Sequence, residues 1–159
     1  MVEHGLTSPD ASVRANTLRR LARQGGPEHA AAVAALVGDP GAFDDRDDCN
    51  DPPESAFTPV RLIALEALFA LAETGDYRAE FDGALDDADL RVRAAATLGA
   101  SVGALRARLA VEEDRGVRYR IAVALLPGDE SAYAILEELS TGDDFAALAA
   151  TVILDASRA

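Results

Sequence analysis

Five aspartates within eight residues, Asp44, Asp45, Asp47, Asp48 and Asp51, form the densest set of oxygen donors in the chain. A hard cation such as calcium takes several carboxylates from a flexible loop. The run lacks the Gly at the sixth and the Glu at the twelfth position of an EF-hand calcium loop, and it reads as a solvated acidic loop with no metal assigned. Cys49 lies inside the same run. Neighbouring carboxylates raise a thiol pKa and oppose the thiolate that reactivity requires. His4 and His29 are separated by a helical stretch, with no Asp or Ser at a spacing that pairs with them. No nucleophile elbow, phosphate-cradling Gly-rich loop or metal-binding helix motif is present. The expectation is a protein without catalytic residues, cofactor or metal. What remains is a recurring cation: Arg14, Arg61, Arg93 and Arg118 each follow a Val, forming either an anion-binding row or a structural one.

The elements that position these arginines repeat. Val13-Arg14 is followed by Thr17 and Leu21, Val60-Arg61 by Ala64 and Leu68, and Val117-Arg118 by Ile121 and Leu125. A fifth, degenerate copy runs through Asp143, Ala146, Ala147, Ala150 and Leu154, with Ala in place of the Arg. The third copy offers two registers, Val92-Arg93 counted from Leu85 or Leu90-Arg91 counted from Leu98-Gly99. Residues four and eight positions after the Val share one helical stripe, and the Asp or Ser before it suits an N-cap. Amphipathic stretches at 28–37, 77–85, 102–112 and 130–140 precede these helices. Turns at 25–27, 74–76, 127–129 and 141–143, rich in Gly, Pro and Asp, separate the elements. Antiparallel helix pairs that cannot bury their stripes alone must stack on their neighbours.

These Asp, Val-Arg, Ala and Leu sets, spread over 6–154, resemble the HEAT-like repeat superfamily, in particular the short repeats of the phycobilisome-lyase type. The resemblance implies an all-α, right-handed α-solenoid (α-α superhelix) of about five helical hairpins, forming one domain over residues 1–159. It also implies that each recurrent Arg pairs with a turn acid of a neighbouring repeat. The ladder expected on that basis comprises Asp10, Arg14, Arg61, Asp87, Arg93, Asp114 and Arg118, with Asp39 as a further candidate. The first hairpin is expected to lack most of its leading helix, and the last to act as a cap.

The Val-Arg sites fall at 13, 60, 92 and 117, so the first interval is 47 residues against 32 and 25 later. The excess sits in an acidic loop insertion at about 38–58, a length that often signals function in a compact repeat. In the helix that follows it, Leu62 and Ile63 occupy positions filled by Ala15-Asn16 and Tyr119-Arg120 elsewhere. Apolar residues on an outward face need a cover. Phe43 and Phe57 of the loop can fold back as a lid, or a partner docks there. Arg19, Arg23, Tyr119 and Arg120 are the other residues placed on the expected concave surface.

Composition narrows the partner. The chain has 15 basic and 28 acidic residues, net charge -13, and every basic residue is Arg. Such a field repels nucleic-acid phosphates and anionic membranes, and is screened at high ionic strength. The expected partner is another protein, with a basic segment as the complement by charge. The resemblance also raises HEAT-like DNA glycosylases, which use a basic groove with aromatics, and bilin lyases. The first is disfavoured by the charge and by an aromatic content of 5%. The Asp-rich, Lys-free composition is similar to that of cytoplasmic proteins of salt-loving archaea, and a GC-rich genome alone would produce much of the same bias. One cysteine excludes an internal disulfide, and the N-terminus lacks a signal-peptide pattern. The expectation is a cytoplasmic monomer or weak homodimer.

Overall fold

A computed structural model describes residues 2–45, 57–72 and 76–158. The described chain is mostly helical: α1 Val2–Leu6, α2 Ala11–Gln24, α3 Ala30–Ala34, α4 Val60–Leu71, α5 Arg78–Ala84, α6 Leu90–Ala96, α7 Val102–Leu109, α8 Arg115–Leu125, α9 Ser131–Leu139 and α10 Phe145–Arg158. A 3-10 turn over Pro27–His29 leads into α3, and a two-stranded ribbon, β1 Ala42–Asp44 and β2 Phe57–Pro59, stands before α4. No helix among the described residues is long and apolar enough to cross a membrane.

Local chemistry explains where the helices begin. Asp10, Asp89, Ser101 and Asp114 each cap a helix, their side-chain oxygens accepting from the amides of Ser12, Arg91, Ala104 and Val117. Asp144 accepts from the Ala147 amide at the start of α10 (2.8 Å). Each bond satisfies a first-turn N–H that has no carbonyl partner within its helix. The short leading helices expected at 28–37, 77–85, 102–112 and 130–140 appear as the 3-10 turn with α3, and as α5, α7 and α9.

Each odd-numbered helix packs on the even-numbered helix after it, and α2, α4, α6, α8 and α10 contact one another in that order. The core follows this row. Leu18 of α2, Leu65 and Leu68 of α4, Val92 of α6, and Val117 and Ile121 of α8 are fully buried. A second cluster joins Ala122, Leu136, Leu139, Ala150 and Leu154. Gly99 allows the close approach of α5 to the end of α6, since a Cβ there would stand 2.5 Å from the Phe81 ring.

The open register of the third copy is settled by burial. Val92 is fully buried whereas Leu90 is 48% exposed, so Val92-Arg93 occupies the Val-Arg position. The first copy departs from its pattern: Val13 is 42% exposed. Among the described residues the short α1 packs on α2 and leaves Val13 partly open, where Val60, Val92 and Val117 are buried.

The 38–58 insertion contains more regular structure than its composition suggests. Phe43 pairs with Thr58 and Asp44 with Phe57 in an antiparallel register. Directly paired residues share a face and successive ones alternate. Phe43 and Thr58 therefore face the helices, while Asp44 and Phe57 face outward. Phe43 joins the same core cluster as Ile63. Of the two phenylalanines expected to fold back, Phe43 is buried, and Phe57 is 59% exposed because the period-2 alternation turns it away. Asp47, Asp48, Cys49 and Asp51 lie outside the described residues.

Candidate interaction surface

The recurrent arginines form rungs between successive hairpins. Arg14 Nε donates to Asp39 (2.7 Å), Arg61 Nε to Asp87 (2.6 Å), Arg93 Nε to Glu112 (2.8 Å) and Arg118 Nη2 to Glu138 (3.0 Å). Arg14, Arg61 and Arg93 are bidentate on the carboxylate, each using Nη2 as well, the strongest geometry for a guanidinium on a carboxylate. In Arg14, Arg93 and Arg118 the remaining nitrogen reaches back into the turn before its own helix. Arg14 Nη1 donates to the Ser8 and Pro9 carbonyls, Arg93 Nη1 to those of Asp87 and Ala88, and Arg118 Nη1 to that of Glu112. These arginines therefore fasten a turn to the next hairpin, which occupies their donors internally.

Two expected rungs require correction. Asp10 and Asp114 are helix caps, and the acids facing the arginines are Asp39, Asp87, Glu112 and Glu138. Asp87 and Glu112 stand two residues ahead of the caps Asp89 and Asp114, whose amides they accept (2.8 and 3.0 Å). Ser8 takes the same place before Asp10, accepting its amide at 3.2 Å. Before α6 and α8 the signal was therefore an acid-x-Asp pair, with the first acid bridging to the preceding helix pair and the second capping. Gly41 belongs to the same construction, since a Cβ there would collide with the Arg14 guanidinium.

Burial grades the rungs. The Glu112 side chain is 1% exposed and also receives Arg108 Nε at 2.9 Å, whereas Glu138 is 60% exposed. Burial alone would push the Glu112 carboxyl upward. The bonds from Arg93, the Asp114 amide and Arg108 outweigh it and hold the pKa at about 2, against 4.5 normally. Asp39 is pulled down similarly, the Arg14 bond and the Gly41 amide prevailing over burial.

Beyond the rungs lies an open groove of about 780 Å³, within the roughly 300–1,000 Å³ of ordinary ligand clefts. Its walls come from α4 (Leu62, Glu66), from α6 and its following turn (Leu90, Ala94, Leu98), from α8 (Tyr119, Arg120, Val123), and from Phe145 at the start of α10. Leu90, Leu98 and Phe145 are 48%, 40% and 78% exposed. Three of the residues named from sequence meet here: Leu62, Tyr119 and Arg120. The others are elsewhere. Ile63 and Phe43 are core, and Phe57 is on the outer face of the ribbon. Arg19 binds Asp45 (3.0 Å from Nη1) and lies 5.1 Å from the Phe43 ring centroid, a cation–π contact. Arg23 is exposed at the end of α2.

Sequence reasoning missed Glu66, Leu98 and Phe145. The first two were available from spacing: 62 and 66 are an i, i+4 pair on one face of α4, and 98 continues the step from 90 to 94 into the turn after α6. Glu66 is exposed to solvent; partial desolvation by its neighbours pushes its carboxyl above its ordinary value, against the opposing pull of Arg19 and Arg120. No group of metal-ligating side chains stands together among the described residues.

No family model matches the chain, and no curated protein or solved structure matches it.

Proposed function

We propose that the chain is a HEAT-like α-solenoid of about five hairpins that acts as a non-catalytic, cytoplasmic protein-interaction module, docking a partner segment in the groove across α4, α6 and α8. The observation that supports this most is one open surface that joins exposed Leu90 and Leu98 to half-buried Leu62, Ala94, Tyr119 and Val123, drawn from three successive even-numbered helices and the turn after α6. The helices that present it are tied by the arginine rungs, so the surface is preorganised and costs little ordering entropy on binding. The acidic, lysine-free composition fits a cell interior rich in salt, where self-repulsion is screened. The glycosylase-type alternative gains nothing from the groove, whose cations are Arg91, held by Asp89 at 2.7 Å, and Arg120.

The test is selection of displayed random 12-residue peptides on the immobilised protein, followed by binding of the enriched peptides to wild type and Leu98→Asp. Leu98 is exposed, so the variant should keep its melting temperature. Enriched peptides should lose at least tenfold in affinity on Leu98→Asp. Absence of enrichment, or peptides indifferent to a folded Leu98→Asp, would refute the reading.

A further inference from the structure

The charged groups around the groove differ in how far the protein already satisfies them. Asp114 accepts the Val117 amide as the cap of α8, and Arg91 is held by Asp89. Among the described residues Glu66 has neither kind of tie. It projects from the middle of α4, four residues after Leu62, and no cation lies within ion-pairing distance of it among the described residues. The two arginines whose charge it feels are Arg19 and Arg120. Arg19 is spent on Asp45 and the Phe43 ring, and Arg120 is exposed and retains its hydration.

An apolar segment laid across Leu62, Leu90, Leu98 and Phe145 would take away the water that Glu66 now uses. A carboxylate that loses its water without gaining a partner opposes the association. The same carboxylate favours a ligand that brings a cation to that place, and the chain's net charge of -13 attracts such a ligand from a distance. Selectivity of this kind rests on the unpaired group as much as on the paired one.

We propose that the groove recognises a short apolar peptide segment bearing one lysine or arginine, whose cation pairs with Glu66, so that Glu66 is the specificity-determining residue of the surface. This rests on the docking function proposed above and adds the chemistry of the occupant. The apolar residues of the peptide pack on α6 and α8 while its basic side chain reaches α4. An acidic residue at the same peptide position meets Glu66 as a like charge and is rejected.

Peptides enriched on the wild-type protein and on Glu66→Gln should differ in composition. Wild type should enrich peptides with a basic residue three or four positions from an apolar pair, and Glu66→Gln should enrich apolar peptides without that preference. For one consensus peptide, replacing the lysine by norleucine should weaken binding to wild type about tenfold and leave binding to Glu66→Gln within twofold. Apolar peptides that are enriched without a basic residue would overturn this inference and leave the docking function standing. So would equal losses on both proteins. No enrichment at all, or enriched peptides unaffected by Leu98→Asp, would overturn both.

Discussion

Replacing Glu112 by Gln removes the anion at the most buried rung while keeping the side chain's shape. In the native protein this carboxylate, 1% exposed, accepts from Arg93 Nε and Nη2, from Arg108 and from the Asp114 amide. Its pKa of about 2 against 4.5, at about 1.36 kcal/mol per unit, corresponds to about 3 kcal/mol of stability. That agrees with the roughly 3–5 kcal/mol lost when one partner of a buried pair is removed. The sign follows from the direction of the shift. A depressed carboxyl contributes fully above pH 4.5 and loses its contribution as pH falls toward 2. Urea unfolding followed by helical ellipticity at fixed potassium chloride should show Glu112→Gln about 3 kcal/mol less stable at pH 7. The melting temperature should fall by about 6–12 °C, at roughly 2–4 °C per kcal/mol for a domain of this size. The gap should narrow as pH is lowered from 5 to 3. A difference below about 1 kcal/mol at pH 7, or one that persists unchanged on acidification, would refute the assignment of Glu112 as the central rung.

Other consequences are cheaper to check. Phe43→Ala should cost about 3–5 kcal/mol in denaturant unfolding because it empties a core position, whereas Phe57→Ala should stay within about 0.5 kcal/mol; equal losses would contradict the ribbon's register. Asp114→Ala should cost about 1 kcal/mol, the value of an N-cap, and a cost matching that of Glu112→Gln would mean the two acids had been assigned in reverse. The melting temperature should rise between low and molar potassium chloride, and equal values at both would end the salt-adapted reading.

The parts of this protein that were legible in its sequence are those determined by local chemistry. Turns at 127–129 and 141–143 mark helix boundaries because Gly, Pro and Asp restrict or cap the backbone wherever they occur. The arginines were found by period. Their partners were not all found, because Glu112 and Asp114 are two acids two residues apart. Composition cannot say which one faces the previous hairpin and which one turns to its own helix. The β ribbon was hidden for a different reason: strands of three residues are held by tertiary contact, with Phe43 buried on the α2–α4 side, and carry too little pattern to announce themselves. The groove was half visible. Leu62, Tyr119 and Arg120 stood out as departures from the repeat. Leu90 and Leu98 read as one of two possible core registers until Val92 was seen to be the buried residue. Glu66 is a surface glutamate, and nothing near it in sequence marks it, since the charges it feels, Arg19 and Arg120, come from α2 and α8.

The central claim is that this chain works through the surface shared by α4, α6 and α8. The most direct measurement is a backbone and methyl NMR titration with a selected peptide carrying one tryptophan, a residue the chain itself lacks. The account predicts shift changes concentrated at Leu62, Leu90, Leu98, Val123 and Phe145, with the rung residues Asp39, Arg61 and Asp87 unmoved. Changes centred on those rungs or on α9, with the groove silent, would contradict it.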